Sequence, residues 1–311
     1  MVKIGDWQKI ATHDGIFHAD EVLAFAILKI LKPDVNLIRT RNPRELAFAD
    51  LRIDVGGEFR PSQGNFDHHQ PGGAGERSNG VPYATAGLIW RDFGKRVVKE
   101  VCPELKPRQV NRVVRMVDEA LIQTVDAYDI GIKLEPRSDD LAPNPYTLND
   151  LVRSFNLTWD DQFQNSSQAF MMAWRICERV LKNEINLAAS ILIAEVFVDR
   201  SYQAHGRGKI LILDRFIHWN IWRATVLALK LTDVLFAVVA NNGGWAVYTQ
   251  TAEVGSNRAR KSLPISWADL KGEMLARMTG VSDAKFCRSR WVIGAQSYKG
   301  ALQLARLAIE S

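Results

Sequence analysis

Cysteine is scarce. The 311 residues hold three, Cys102, Cys177 and Cys287, spaced 75 and 110 residues apart, with no CxxC pair. A disulfide framework and a thiolate zinc site are thereby excluded. Long apolar runs are missing too. The longest, Val22 to Leu31 and Ala188 to Val198, are broken by Lys29 and Glu195. Both fall short of the ~20 residues a membrane span needs. The opening MVKIGDWQKIATHDG has neither the basic-then-apolar pattern of a secretion signal nor the Arg- and Ser-rich pattern of a transit peptide. There is no internal repeat and no low-complexity tract. The expectation is a cytoplasmic protein with no membrane segment. Nor is there much charge of one sign: 40 Lys and Arg against 35 Asp and Glu leave +5, with a pI near 9.1. Such an excess permits a polyanionic partner without requiring one.

Hydrophobic residues supply 47% of the chain and charged residues 24%, the balance of an ordinary globular protein. At roughly 150 residues per domain the length predicts about two domains. Residues 8–12, 36–40 and 51–55 read as strands, alternating with helices at 21–32 and 43–49. That alternation marks βαβ units and a parallel sheet. Asp20 stands where a helix N-cap would. Residues 58–82 are rich in Gly, Pro, Asn and His and read as a long loop. Helices are predicted over 84–101, 107–128 and 161–203, the last with a break near 183–186. A loop with one helical turn is predicted over 135–160. Beyond His205-Gly-Arg-Gly208 the pattern turns to strands, KILIL, VLFAVVA and WAVYTQTA, with a hairpin turn at Asn241 to Gly244. Helices at 267–278 and 299–309 complete the chain. The predicted class is α/β: an N-terminal parallel-sheet domain over 1–203 and a smaller C-terminal mixed α/β domain over 204–311.

The chemistry gathers early. Of six histidines, His13, His18, His68 and His69 lie in the first 69 residues, each within two residues of an aspartate. Asp54 ends the third strand, and Asp126 lies in VDAYDIG. In a parallel sheet the loops after the first and third strands open at the same edge. Alone, each residue has an ordinary reading: a helix cap, a surface imidazole. Together they offer nitrogen and oxygen donors suited to manganese, magnesium, iron or zinc. The excess of carboxylates points to two ions. Asp129 reads as an aid to Asp126 or a helix-end cap, and Glu21 as an outlying partner or a first-turn acid.

The run Asp67-His68-His69 resembles the motif that names the DHH phosphoesterase superfamily. THDGIFHADEVLAFAIL, IDVGGEF, NFDHHQP and VDAYDIG are similar to a narrower family within it, named for the melanocyte proliferating gene. LDRF, NNGGWAVYTQTAE, RKSLPISWADLKG and WVIGAQSYKGALQLA extend the similarity nearly end to end. The resemblance implies a DHH-type domain, two Mn2+ or Mg2+ ions, and a 3′–5′ exonuclease acting on single-stranded RNA or short oligonucleotides. His13, His18 and Asp54 would hold the first ion. Asp20, Asp54, His68 and Asp126 would hold the second, with Asp54 bridging. His69 would contact the phosphate as a general acid, and Asp67 would orient His68. His18 stands where most of the superfamily has aspartate.

In the C-terminal half, Arg258 and Lys261 are candidate phosphate contacts. Gly294 and Lys299 mark a segment where such proteins usually carry a glycine pair, and this chain has a single glycine. Trp174, Trp219 and Trp222 could stack bases, although core packing is their commoner role. Two rival readings accompany the exonuclease: a phosphatase or pyrophosphatase on a small substrate, and a non-catalytic RNA-binding protein. The reading leaves room for a homodimer.

Overall fold

A computed structural model describes residues 7–132, 145–161, 165–205, 207–253 and 256–311. The chain divides into two compact units, Met1–Ala189 and Ser190–Ser311. Part of the expected loop at 135–160, with Pro136 and Pro143, lies outside the described residues, as does Gly206 of the glycine-flanked break.

The first unit is built on a five-stranded sheet. Its strands are β1 (Lys9–Thr12), β2 (Asn36–Arg39), β3 (Leu51–Ile53), β4 (Phe59–Arg60) and β5 (Asn65–Phe66), in the order β2-β1-β3-β5-β4. β2, β1, β3 and β5 are parallel, and β4 pairs antiparallel at the edge. The stretch expected as loop therefore contributes two short strands. They escape a periodicity reading because two residues are too few to alternate.

Helix α1 (Ala19–Leu31) packs against the sheet and against α3 (Thr85–Val101). Its strong helix formers and nearly all-apolar surface suit burial on every side, and only Lys29 and Leu31 escape full burial. Its N-cap is His18, not Asp20: the His18 amide donates to Glu21 Oε1 at 2.9 Å, and Asp20 lies inside the first turn. After the short α2 (Pro43–Leu46) and α3, the predicted helix over 107–128 is interrupted. α4 (Pro107–Val117) passes into a π-helical segment, Asp118–Ile122, and resumes as α5 (Gln123–Asp129). α6 (Leu148–Arg153) is capped by Thr147, whose Oγ1 accepts from the Asp150 amide at 3.4 Å.

Helix α7 (Ser166–Ala204) runs through the division between the units. The expected break near 183–186 is absent. Leu181, Ile185, Ala188, Ala189 and Leu192 are buried at helical spacing across it, so Asn183 and Asn186 sit on the solvent side of an unbroken stripe.

The second unit carries β6 (Ile210–Leu213), α8 (Trp219–Ala228), β7 (Phe236–Asn241), β8 (Gly244–Thr249), α9 (Gly272–Thr279), β9 (Ala284–Arg288), β10 (Val292–Ala295) and α10 (Tyr298–Glu310). The strand order is β6-β7-β8-β10-β9, with only β6 and β7 parallel. β7 and β8 form the expected hairpin, Asn242-Gly243 making the turn with Gly243 at φ +87°. α8, β9 and β10 are additions to the predicted elements. Side chains alternate across the sheet. Phe236, Val238, Val247 and Ile293 pack with Leu275 of α9 and Leu304 of α10. Leu211, Ala237 and Val239 pack with Trp222 and Val226 of α8. Among the described residues no helix is long and apolar enough to cross a membrane.

Candidate metal centre

Parallel strands deliver their C-terminal ends to one edge of the sheet. His13 follows β1, Asp54 follows β3, and Asp67 follows β5. The loop from His13 to His18 is braced from behind. Arg39 donates to the Gly15 carbonyl at 2.6 Å, and Asn156 holds both the amide and the carbonyl of Phe17, at 2.8 and 2.7 Å. Asp54 has φ +55°, the left-handed region that aspartate tolerates better than most residues. Gly56 and Gly57 also have positive φ, and the Gly57 amide donates to Asp67 Oδ2 at 2.6 Å. The IDVGGEF segment thus ties Asp54 to the Asp67-His68-His69 run.

The side chains meet closely. His13 Nε2 lies 3.0 Å from Glu21 Oε1 and 3.3 Å from Asp54 Oδ2. His68 Nδ1 lies 3.8 Å from Asp20 Oδ2 and 3.7 Å from Asp54 Oδ1, and its Nε2 lies 3.3 Å from Asp129 Oδ2. The His69 ring stacks on His68 at 4.1 Å between centroids. Three groups could each hold an ion: Asp54, Asp67, His68 and His69; His13, His18 and Glu21; Asp20, His68 and Asp129. His68 is common to two of them.

Helix α3 adds donors from the far side. The Thr85 and Ala86 amides donate to Asp20 Oδ2 and Oδ1 at 2.9 and 2.6 Å. These amides have no partner within their own helix, so a buried carboxylate from α1 completes the N-terminus of α3. Thr85 Oγ1 donates to Asp54 Oδ1 at 3.4 Å and lies 3.3 Å from His68 Nδ1.

The electrostatics are those of a carboxylate cluster short of cations. Asp20, Glu21, Asp54 and Asp129 are buried or nearly so. Among the described residues no Lys or Arg lies within ion-pair distance of them; the cationic partners are histidines. Burial, with repulsion from Asp129, Asp54 and Asp126, pushes the Asp20 carboxyl well above its usual range. Burial and the neighbouring Asp54 and Glu21 raise Asp129 to about 7. Burial opposes the charged form of His13, but its bonds to Asp54 and Glu21 carry its pKa to about 10. His69 is raised to about 9, first by its bond to Asp54. Burial would raise Asp54, yet the facing His13 and His69 hold it well below the usual carboxylate range. His68, desolvated, is pushed down toward the neutral imidazole that a metal needs. Glu21 Oε2 is buried without a hydrogen-bond partner. Uncompensated buried carboxylates are costly, and a divalent cation held by these groups would supply the missing charge. The donor set fits one.

Two expected roles move. Asp67 does not orient His68. Its Oδ1 accepts from the His69 amide at 3.0 Å and lies 2.9 Å from His69 Nδ1, because the chain folds back over the carboxylate at this turn. Asp126 is absent from all three groups. Its Oδ1 accepts from the Gly87 amide at 2.9 Å, and its Oδ2 lies 2.8 Å from Arg77 Nη2. Arg77 is buried and also grips Asp118 through Nε and Nη2 at 2.8 and 2.7 Å. The carboxylate that reaches the cluster is Asp129, one turn further along α5. Sequence reasoning gave no site role to Thr85 or Arg77. For Asp129 the only signal was the DxxD spacing, which puts two carboxylates on one helix face.

The second-unit candidates do not converge. Exposed Arg258 pairs with exposed Glu253 at 3.2 Å. Lys261 Nζ donates to the Ile309 carbonyl at 2.8 Å, near the C-terminus of α10. Gly294 makes room for Phe286, whose ring would lie 2.5 Å from an added Cβ. Lys299 is exposed at the start of α10. Trp222 is fully buried, and Trp174 packs on Phe25 at 5.8 Å, whereas Trp219 is half exposed.

Carboxylates and imidazoles gathered at the edge of a parallel sheet make the first unit an α/β domain whose side chains could hold a divalent cation. A family model for MYG1 exonucleases, described as Uncharacterised protein family (UPF0160), matches residues 9–309, and the chain belongs to that family. The MYG1 exonuclease of Rattus norvegicus is 28% identical over 324 residues, 97% of this chain and 84% of that one. A MYG1 protein of Schizosaccharomyces pombe is 29% identical over 325 residues, 97% of each chain. The crystal structure of RecJ in complex with Mn2+ from Thermus thermophilus aligns over 97% of this chain and 52% of that one, with 13% identity and a TM-score of 0.28.

Proposed function

We propose that the protein is a divalent-cation-dependent phosphodiesterase that shortens single-stranded RNA or short oligonucleotides from the 3′ end. The observation that carries this reading is the cluster of buried Asp20, Asp54, His13 and His68 with the half-buried Asp129, with no Lys or Arg partner among the described residues. The exonuclease name of the family's relatives supplies the substrate class. Two ions, Mn2+ or Mg2+, would be held by His13, His18 and Asp54 and by Asp20, Asp54, His68 and Asp129. When bound, such ions supply Lewis acidity at phosphorus and lower the pKa of water.

The chain's own groups do the rest. Asp20 is immobilised by two amides of α3 and keeps its remaining lone pairs for the site. His69 is 61% exposed at its side chain, and its contacts through Nδ1 with Asp54 and Asp67 favour its protonated form. Its Nε2 can then donate to a phosphate or leaving-group oxygen as a general acid. Arg77 and Asp126 keep α5 docked on the start of α3, which positions Asp129.

The test is one gel with 5′-labelled single-stranded RNA, Mn2+ and the full chain, beside chelator and Asp54→Asn lanes. A ladder shortening from the 3′ end, absent from both controls, is the expected result. Intact RNA with confirmed metal loading would overturn the exonuclease reading and favour a small phosphate substrate.

A further inference from the structure

The second unit contains a cavity of about 630 Å3. Helix α8 turns Trp222 and Val226 into the sheet and leaves Trp219 and Arg223 on the neighbouring face. Beyond α8 the sheet is uncovered at Tyr248 of β8 and its cross-strand partner Val292 of β10, which form the floor. Trp291, Thr251 and Asn257 complete the rim. None of these residues belongs to the histidine–carboxylate cluster.

Arg223 is the unusual group. Its guanidinium carbon lies 5.1 Å from the ring centre of Trp219, 5.4 Å from Trp222 and 5.6 Å from Trp291. Nε donates to the Thr249 carbonyl at 2.9 Å, and Nη2 reaches Thr249 Oγ1 at 3.5 Å. Among the described residues no carboxylate lies within ion-pair distance, and Nη1 has no hydrogen-bond partner. Aromatic faces stabilise a guanidinium, and they do not occupy the in-plane Nη1 donors, which stay available to an anion. Burial moreover lowers its pKa, so the charge is carried at a cost here. A half-exposed indole beside such a donor set also offers a flat apolar face.

We propose that this cavity binds a nucleobase linked to a phosphate, with the base against Trp219 and Tyr248 and the phosphate on Arg223. The size suits one nucleotide, since ligand pockets run from about 300 to 1,000 Å3. Base stacking on aromatic rings tolerates any base, while Thr251 and Asn257 supply polar groups for its edge or sugar. The proposal does not rest on the phosphodiesterase reading, because it uses neither the metals nor their ligands.

The experiment is calorimetric titration of the full chain in EDTA, which removes metal and prevents cleavage. The probes are AMP, a 5′-phosphorylated tetra-adenylate, adenosine and inorganic phosphate. AMP or the tetranucleotide binds saturably, and adenosine and phosphate each bind at least about tenfold more weakly. Equal binding of AMP and the tetranucleotide identifies a free-nucleotide site; tighter binding of the tetranucleotide identifies a terminal-nucleotide site. Trp219→Ala and Arg223→Gln each weaken binding at least about tenfold. No saturable binding of either nucleotide probe overturns the proposal, as does unaltered binding by a Trp219→Ala protein of native melting temperature. Should Arg223→Gln fail to fold, Trp219→Ala and Asn257→Leu carry the test, since both side chains lie at the rim.

Discussion

Asp129 Oδ2 lies 3.3 Å from His68 Nε2, while Asp126, one turn earlier on α5, is bound to Gly87 and Arg77. Two carboxylates of one helix face thus take different tasks. Asp129→Asn is expected to weaken Mn2+ binding at least about tenfold with little change in melting temperature. Asp126→Asn should instead cost about 1.5–3 kcal/mol of stability, the worth of a buried charged hydrogen bond, with smaller metal loss. Metal titration and denaturant melts on both variants decide it; the reverse pattern would return Asp126 to the ligand set.

Asp54 combines a left-handed backbone with a place between His13 and His68. Asparagine accepts that backbone, so Asp54→Asn isolates the charge. It should abolish turnover and lower bound metal while the metal-free fold stays intact. Asp54→Ala adds a backbone penalty of about 1 kcal/mol, visible as a lower denaturant midpoint than that of Asp54→Asn. Full turnover by Asp54→Asn would refute the role of this carboxylate.

His69 touches the cluster through Asp54 and Asp67 but is largely exposed. His69→Ala should lose about 10²–10⁴-fold in rate, the range for a general acid, and keep its metal. Metal analysis beside single-turnover rates checks this. Loss of metal would make His69 a ligand instead.

The metal-free protein should lose stability as pH rises from 7 to 9. His13 and His69 have folded-state pKa values raised from 6.5 to about 10 and about 9. The stability each contributes is complete below 6.5 and is lost as pH climbs through those values. Asp129, raised from 3.8 to about 7, adds a destabilising share that is already developed by neutral pH. His68, shifted down, works the other way only at lower pH. Mn2+ replaces the departing protons, so its stabilisation should grow over the same interval. Melting curves in chelator and in Mn2+ at pH 7 and 9 measure both effects; a flat chelator series would contradict the protonation described.

Gly87 permits the α3–α5 contact. A Cβ there would collide with Asp126 Oδ2 and stand 2.8 Å from Arg77 Nη2. Gly87→Ala should cost about 1–3 kcal/mol, as overpacking does. Its metal affinity should also fall, because Asp129 rides on the displaced helix. A denaturant midpoint equal to that of the unaltered protein would show that α5 is not held in this way.

Much of this was legible beforehand. Strong alternation of short apolar strands with helices announced the parallel sheet. Parallel pairing then forces His13 and Asp54 to one edge, whatever the details. The clustering of histidine with aspartate announced the chemistry. β4 and β5 were hidden because two-residue strands carry no period. The break expected in α7 failed because the buried stripe from Leu181 to Leu192 outweighs two asparagines. Which histidine Asp67 contacts is hidden because the motif's order in the chain does not say which way its carboxylate folds back.

The parallel sheet of the first unit, the histidine–carboxylate composition of the site and the edge on which it forms can be read from the residues alone, because they follow from local periodicity and from the rule that parallel strands share an end. Which carboxylates face the histidines depends on contacts far apart in the chain. The π-helical segment at 118–122 breaks the phase between α4 and α5, so the apolar pattern of α4 cannot say which side of α5 meets the cluster. Arg77, 49 residues before Asp126, then claims that carboxylate through a contact no local pattern encodes, and Asp129 is left to face His68.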